Sequence, residues 1–423
     1  MSETGLIRAY SGLTKVIAPA LPFWLKRRAV KGKEDPARQG ERFGISSLPR
    51  PDGQLFWMHG ASVGEVTMLL PLIDKVLAEY PSAHVLVTSG TTTSAELMAK
   101  RLPERAFHQY IPLDTPKAVS AFLDHWIPSM ALWAESEIWP NLILQTKARN
   151  IPMALINARM SEKSLQGWSK RRKSAESLFG YFDVILAGDE RTANGLSKIL
   201  GTSVENIGNL KNAAPALTFD PNELSHLKES IGKRPIWIAA SVHHDEADYV
   251  FRAHEKVLES HPKALLIYAM RHPTEKLVNN LKSYFADHIF AQRSLGTIPH
   301  QKTGVFLYDT LGEMGLAYSL SDAAFVAGSL RSNLMGHNPL EPARLNIPTV
   351  TGPYISSFQD TYAPFLENNA MIQIAESDEL GKTITAMLSS PKTRQNMVSR
   401  ASTIVNTQSD ILNRTVDAIK ALL

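Results

Sequence analysis

Cysteine is absent from all 423 residues of the chain. Its absence excludes disulfide bonds, zinc sites built on thiolates and a cysteine nucleophile. Two nucleotide motifs are also missing, namely the Gly-x-x-x-x-Gly-Lys-Ser/Thr loop and a Gly-x-Gly-x-x-Gly fingerprint after the first predicted strand. The sequence therefore favours neither ATP hydrolysis nor dinucleotide redox chemistry.

Long apolar runs are also lacking, and the longest candidate, residues 13–25, is broken by Lys15, Pro19 and Pro22. It is too short to span a bilayer unaided, and no small-residue cleavage site of a signal peptide follows it. Apolar and aromatic side chains are instead followed by basic ones: Ile17, Leu21, Phe23, Trp24, Leu25, Lys26, Arg27 and Arg28. This pattern predicts a segment that lies on an anionic membrane surface. The alternative is a helix that covers its own domain.

Charge is nearly balanced, with a net charge of only +4 and a pI of about 9.0. The chain as a whole is therefore not expected to bind polyanions, and its scattered aromatic residues argue against a nucleic-acid partner. The basic residues nevertheless cluster within residues 26–33 and 163–173. Each cluster is either a solvated face or a contact for an anionic partner in the first half of the chain.

Apolar runs of strand length alternate with segments of helical periodicity along the whole chain, which predicts βαβ units in parallel sheets. The alternation of strand and helix patterns is interrupted at 214–222, a segment rich in turn residues, and then resumes. We therefore predict an α/β protein with two Rossmann-like, doubly wound domains that face each other across a cleft. The predicted divisions are an N-terminal domain (1–213), a linker (214–222) and a C-terminal domain (223–423), the last helices of which return to the first domain.

Polar side chains follow nearly every predicted strand, which is where open α/β sheets bind ligands. Glu65 is the first of them, three residues after Ser62 and at the start of a predicted helix. One interpretation is a capping box, in which Ser62 is the N-cap and the Glu65 carboxylate reaches back to the backbone. The other is a general base placed at a ligand crevice.

Two helix starts in the second half favour an anionic ligand. Asn338 is a suitable N-cap, Pro339 suits the first helical position and Glu341 falls at the third, and Thr310 to Glu313 repeats the pattern. Such starts suit a phosphate and a ribose hydroxyl, although simple capping is the alternative. The run from His243 to Glu246 offers metal-binding side chains, but adjacent histidines point differently, so no metal site is predicted.

Six distinctive segments come in the following order over nearly the full chain: His59-Gly-Ala-Ser-Val-Gly-Glu65, Glu135-Ser-Glu-Ile-Trp-Pro-Asn141, Asn157-Ala-Arg159, Gly208-Asn-Leu-Lys211, Arg271-His-Pro273 and Gly336-His-Asn-Pro-Leu-Glu341. Together they resemble the 3-deoxy-D-manno-octulosonic acid (Kdo) transferases of lipopolysaccharide synthesis. The resemblance implies the two-domain GT-B glycosyltransferase fold. It also implies inverting transfer of Kdo from CMP-Kdo to the lipid A precursor, at the cytoplasmic face of the inner membrane.

The resemblance also assigns roles. Glu65 matches the proposed general base, which takes the proton from the glucosamine 6-hydroxyl of the acceptor, and Glu135 and Lys211 match positions that support the transition state. The positions that match the contacts with CMP are Arg271, His272, Leu311, Gly312, Glu313, Asn338, Pro339, Leu340 and Glu341. No metal and no cofactor are expected, because CMP is a monophosphate ester and a stable leaving group.

Two rival functions remain at this point. One is a different GT-B activity, such as a nucleotide-sugar epimerase or a transferase that uses a UDP-sugar. The other is a protein that binds the membrane surface and has kept the fold without turnover, against which the presence of Glu65, Lys211 and Glu341 argues.

Overall fold

The computed structural model describes residues 4–213, 215–284 and 288–423. The chain divides into two compact units. The first consists of residues 1–214 and 408–423, and the second of residues 215–407. The C-terminal segment therefore belongs to the unit in which the chain begins.

The first unit alternates strands and helices from β1 onward. Its strands are β1 (Leu55–His59), β2 (His84–Ser89), β3 (Ala106–Tyr110), β4 (Met130–Ala134), β5 (Met153–Ala158), β6 (Val184–Ala187) and β7 (Glu205–Asn206). Its helices are α1 (Gly5–Ile17), α2 (Leu21–Val30), α3 (Val63–Glu79), α4 (Thr92–Arg101), α5 (Pro116–Trp126), α6 (Pro140–Ala148), α7 (Glu162–Lys170), α8 (Arg172–Phe179) and α9 (Glu190–Leu200).

The second unit repeats this alternation. Its strands are β8 (Ile236–Val242), β9 (Leu265–Met270), β10 (Ile289–Gln292), β11 (Thr303–Tyr308), β12 (Ala323–Val326), β13 (Thr349–Thr351) and β14 (Ile372–Gln373). Its helices are α10 (Pro221–Ile231), α11 (Ala247–Ser260), α12 (Glu275–Tyr284), α13 (Met314–Ser319), α14 (Leu340–Arg344), α15 (Gln359–Glu367), α16 (Leu380–Ser389) and α17 (Pro391–Lys420), whose end belongs to the first unit.

Each unit is built on a parallel sheet with a reversal of strand order. The described strands of the first sheet run β3-β2-β1-β4-β5-β6-β7, and those of the second run β10-β11-β9-β8-β12-β13-β14. The order reverses between β1 and β4 in the first sheet and between β8 and β12 in the second. Because ligands of open α/β sheets bind beyond the carboxyl ends of strands at such a reversal, each unit has one preferred site. The predicted doubly wound class is confirmed.

Both faces of the sheets are covered, which explains why the strands read as continuous apolar runs. All five residues of β1 are buried, and the rings of Trp57 and Trp133 pack edge to face in neighbouring strands. At the far end of the chain, Ile411, Val416 and Ile419 join one core of the first unit. This packing fixes the end of α17 in the first unit.

Several elements differ from the sequence prediction. The sequence pattern over 161–178 predicts one continuous helix, but these residues form two helices, because the backbone leaves helical geometry at Arg171 (φ −117°, ψ 39°). Strands β3, β10 and β14 were not predicted. Pro221 and Asn222 of the predicted linker form the first turn of α10, and Ala214 lies outside the described residues.

The N-terminal helices are attached to the first unit by polar contacts. Glu34 bridges Arg28 of α2 (2.8 Å) and the buried Arg42 (3.2 Å), which in turn donates to the carbonyl of Ile111 after β3. In α1, the Thr14 hydroxyl accepts a hydrogen bond from the Asn141 amide at 3.0 Å. These contacts hold both helices in fixed positions while one side of each remains exposed.

Candidate functional site

Glu65 lies in the first turn of α3, directly beyond β1 at the strand-order reversal of the first sheet. Ser62 is the N-cap and accepts a hydrogen bond from the Glu65 N–H, and its hydroxyl donates to Glu65 Oε1 at 2.7 Å. The Ala61 N–H donates to Glu65 Oε2 at 2.9 Å. The capping interpretation is therefore realised, except that the carboxylate reaches the N–H before the cap rather than that of Ser62 itself.

The turn that brings this carboxylate close depends on Gly60. A Cβ at Gly60 would lie 3.0 Å from the Cβ of Glu65 and 3.1 Å from the N of Val66. Such contacts are tighter than side chains normally tolerate, so a larger residue would push the start of α3 away from the strand. Glycine at this position fixes the distance between β1 and Glu65.

Burial raises the pKa of Glu65, and the charges of Glu135 and Glu137 raise it further. The hydrogen bonds from Ser62 and Ala61 act in the opposite direction without cancelling the burial effect. A carboxylate with a raised pKa accepts a proton more readily, which is a property of general bases in enzymes. Capping and base chemistry are thus compatible in this one side chain.

Glu135 and Lys211 form an ion pair beside Glu65. The Lys211 Nζ donates to Glu135 Oε1 at 2.6 Å, although 76 residues separate them in sequence. Glu135 follows β4 with a left-handed φ of 60°, which is unfavourable for a residue with a side chain and marks functional sites. The turn that carries Lys211 is held by Asn157, near the end of β5, whose amide oxygen accepts from the Leu210 N–H at 2.8 Å.

The second sheet gathers cationic and imidazole groups at its own reversal. His243 follows β8, Arg271 and His272 follow β9, and His337 lies in the loop between β12 and α14. The Nε2 atoms of His243 and His337 are 2.8 Å apart, and the rings of His243 and His272 lie 6.0 Å apart. Arg271 and His272 are exposed, and the charge of Arg271 reaches both His337 and Glu341.

The Glu246 carboxylate supports this cluster from beneath. It is fully buried and accepts hydrogen bonds from the backbone N–H groups of Gly328 (2.7 Å), Ser329 and Leu330 (2.9 Å each) and His243 (3.3 Å). A carboxylate so occupied is not a metal ligand. Among the described residues, no group of three or more His, Cys, Asp or Glu side chains is arranged to hold a metal ion.

The helix start at Asn338 differs slightly from the prediction. Helix α14 begins at Leu340 and has only five residues, so Pro339 occupies the N-cap and Glu341 the second helical position. The Asn338 side chain still caps the helix by accepting from the Leu340 N–H at 3.1 Å. Burial raises the pKa of Glu341, while Arg344 and Arg271 lower it.

The helix start predicted at Thr310 is wrong, because the helix begins later in the chain. The left-handed Gly312 (φ 85°) interrupts the backbone, so α13 begins at Met314 and Glu313 is the N-cap rather than the third helical residue. Its carboxylate is bound by the Arg293 guanidinium and the Thr310 hydroxyl. The hydrogen bonds from Arg293 are the main reason that the pKa of Glu313 is lowered. Leu311 and Gly312 are exposed in the same loop.

Sequence reasoning missed the roles of His243, His337 and Glu246. All three lie near the carboxyl ends of strands, which was the available signal. The pairing of two histidines 94 residues apart and the four backbone donors around Glu246 depend on loop conformations that no local pattern encodes.

Comparison with known proteins agrees with these observations. A family profile described as 3-deoxy-D-manno-octulosonic-acid transferase (kdotransferase) matches residues 37–214. A 3-deoxy-D-manno-octulosonic acid transferase of Haemophilus influenzae is 31% identical, over 98% of this chain and 98% of the relative. The chain belongs to the Kdo transferase family. A second Kdo transferase, from Rickettsia bellii, is 30% identical over 92% of this chain and 93% of its own length.

The Kdo transferase relatives extend over both units, whereas the family profile matches residues of the first unit alone, which contains Glu65, Glu135 and Lys211. A solved glycosyltransferase from Rickettsia africae shares the fold with a TM-score of 0.55 at 12% identity, covering 88% of this chain and 99% of that one. The family and the GT-B fold class expected from the sequence motifs are both confirmed.

Proposed function

We propose that this Kdo transferase moves Kdo from CMP-Kdo to the glucosamine 6-hydroxyl of the lipid A precursor with inversion at the anomeric carbon. The observation that carries the proposal is the grouping of Glu65, Glu135 and Lys211 at the strand-order reversal of the first sheet. A base next to a fixed cation is what this reaction requires, since a hydroxyl must lose a proton while anionic groups are brought close to it.

Glu65 acts as the general base in this proposal. Its carboxylate, held by Ser62 and Ala61, keeps lone pairs for the acceptor hydroxyl and has a raised pKa. As the hydroxyl oxygen forms its bond to the anomeric carbon, the proton passes to Glu65, and the bond to the CMP phosphate breaks on the opposite face. The transition state has oxocarbenium character, as in other glycosyl transfers.

Lys211 supplies a positive charge to the two anions of the donor, which are the Kdo carboxylate and the departing phosphate. A lysine ammonium is a compact point charge on a flexible stem, and the contact with Glu135 restricts where it points. Glu135 therefore positions Lys211 rather than contacting the reacting atoms. No metal is needed in this scheme, because CMP leaves as a monophosphate.

Replacing Lys211 by methionine is expected to lower kcat by about 10²–10³-fold, the usual cost of removing one group that stabilises transition-state charge. CMP affinity is expected to fall much less than kcat, because the other candidate CMP contacts belong to the second unit. Steady-state kinetics and CMP titration measure the two effects. The exposed Lys100 on α4, replaced by methionine, is the matched control. An unchanged kcat in the Lys211→Met variant would remove this residue from the mechanism.

CMP binds the second unit in this proposal, at the residues that the sequence motifs indicated. Arg271 suits a phosphate because a guanidinium donates several hydrogen bonds in a fixed plane. Glu341 is the candidate acceptor for a ribose hydroxyl. Glu313 is less suited to this task, since Arg293 and Thr310 already occupy its carboxylate.

The acceptor is a lipid, and the N-terminal helices offer a surface for it. Their exposed apolar side chains are Leu6, Leu13, Val16, Ile17, Phe23 and Trp24, with Lys15, Lys26 and Arg27 also exposed. No helix among residues 4–213, 215–284 and 288–423 is long and apolar enough to cross a bilayer. We propose that α1 and α2 lie on the cytoplasmic face of the inner membrane, with aromatic side chains in the lipid boundary and lysines against anionic head groups.

Replacing both Phe23 and Trp24 by serine is expected to weaken vesicle binding by about tenfold per residue, since each side chain loses apolar burial in lipid. Phe23 is 69% exposed and Trp24 is 45% exposed, so the folded core is not expected to change. Co-sedimentation with vesicles containing anionic phospholipid measures the effect. Leu295→Ser, at a residue that is 66% exposed in the second unit, is the control. Equal sedimentation of all three proteins would argue against this surface.

The direct test of the reaction is mass spectrometry of the lipid A precursor after incubation with the protein and CMP-Kdo, with and without EDTA. The proposal expects an acceptor heavier by one or more Kdo residues in both samples, and a product with the inverted anomeric configuration by NMR. Absence of product, or a product formed only from a UDP-sugar, would overturn it.

A further inference from the structure

His243 and His337 form a pair of imidazoles joined through a single hydrogen bond. Their Nε2 atoms are 2.8 Å apart, and the ring planes differ by only 12° with centres 5.0 Å apart. Nearly parallel rings with such a short nitrogen contact must meet edge to edge rather than face to face. One Nε2 therefore carries a proton and donates it, and the other accepts.

The pair is held in place by Glu246 and Gly328. Glu246 binds the N–H of His243 and the N–H of Gly328, so one carboxylate fixes the backbone on both sides of the pair. A Cβ at Gly328 would lie 2.6 Å from His337 Cδ2, so the imidazole rests directly on the glycine backbone. The separation of the two rings is thus a property of the fold and not of two mobile side chains.

Charged and titratable groups from the loops after β8 and β9 face the pair. Arg271 and His272, after β9, lie near both imidazoles, while the carboxylates of Glu246 and Asp245 act on His243. Burial is the main reason that the pKa of His337 is lowered to about 4, and His243, Arg271 and His272 lower it further. The pKa of His243 is also lowered, with burial again the main cause. In the free protein at neutral pH, both rings are therefore uncharged.

An anion bound next to Arg271 raises the tendency of the two imidazoles to bind a proton, because a nearby negative charge favours the protonated form of an imidazole. A neutral pair carries two protons on its four ring nitrogens. A third proton binds the Nδ1 of the donating ring, so the shared hydrogen bond is kept. The pair can thus change from neutral to singly positive without any movement of the loops that hold it.

We propose that His243 and His337 are further donor-binding residues, which take up one proton from solvent when the phosphate of the nucleotide binds beside Arg271. The inference rests on the proposed CMP donor, and it adds a second cation to the phosphate site only when the site is occupied. Because one proton is taken up, the affinity for the phosphate is expected to increase by up to about tenfold per pH unit as the pH falls.

Calorimetric titration with CMP tests this, in two buffers of different ionisation enthalpy at the same pH. The wild type is expected to take up a fraction of a proton that approaches one per CMP as the pH falls from 7 to 6. His337→Gln and His243→Gln are expected to lose that uptake. His261→Gln, at a residue that bonds Ser389 and lies outside the cluster, is expected to keep it. The ionisation of CMP itself is the same for every variant, so the difference isolates the pair.

Cytidine serves as the probe without a phosphate. The proposal expects that cytidine binds with no proton uptake and that its affinity is the same in wild type and variants, which also shows that the variants are folded. CMP binding to the wild type without uptake, or equal uptake in all variants, overturns the inference and leaves the CMP donor intact. Failure of CMP to bind the wild type at any pH overturns the donor itself.

Discussion

Replacing Glu65 by glutamine is expected to lower kcat by about 10²–10⁴-fold, the usual contribution of a general base. Glutamine is nearly isosteric, so it keeps one oxygen for the hydrogen bonds from Ala61 or Ser62 but accepts no proton. The wild-type kcat/KM is expected to fall on the acid side of its pH profile at a pH above the ordinary carboxyl range. The reason is that burial raises the pKa of Glu65 and the base must be deprotonated to act. Steady-state kinetics over roughly pH 4–8, which includes the ordinary carboxyl range, measure both effects.

A purely structural Glu65 predicts a different outcome for the same variant. Loss of a capping interaction costs about 1 kcal/mol of stability and leaves kcat largely intact. Glu79→Gln, at the other end of α3, is the matched control because its carboxylate contacts only surface lysines in the described structure. A stable Glu65→Gln variant with the turnover of the control would refute the base assignment.

Replacing Glu246 by glutamine is expected to lower the free energy of unfolding of the second unit by about 3 kcal/mol or more. An amide has one oxygen, so part of the four backbone N–H donors would face an NH₂ group in a fully buried place. Urea unfolding measures the loss. Hydrogen exchange at the amides of Gly328, Ser329 and Leu330 locates it.

The control for this variant is Glu367→Gln, since Glu367 is exposed at the end of α15 in the same unit. Its unfolding and its exchange are expected to match the wild type. Unchanged protection of the 328–330 amides in the Glu246→Gln variant would show that the carboxylate does not hold this loop.

The doubly wound architecture could be predicted because its central strands are buried on both faces and therefore read as apolar runs. The edge strand β3 could not, because it contains His108 and Gln109. Ser89 is hydrogen-bonded to the His108 ring at 2.9 Å, and the Trp126 indole donates to the Gln109 amide oxygen at 2.8 Å, and these partners lie 19 and 17 residues away in sequence. A local pattern records the polar residues but not the partners that make their burial possible.

The candidate site also combines features that local sequence patterns predict with features that they do not. Glu65 follows β1 within a single strand–turn–helix unit, so its place in the first turn of α3 could be read from local spacing. The contact between Glu135 and Lys211 depends on β4, β7 and the turn after it, and the register of Glu313 depends on one left-handed glycine. Such features follow from the sheet order and from backbone conformation, neither of which a residue pattern specifies.

The position of helix α17 determines the order in which the parts of the first unit are synthesised. Its residues Ile411, Val416 and Ile419 pack with Ile207 and Leu210 in the first unit. Residues 1–214 of the first unit are therefore synthesised almost two hundred residues before residues 408–423, which cover the apolar surface around Ile207 and Leu210. Until α17 has been synthesised, the apolar surface of the first unit that it covers lacks these three side chains.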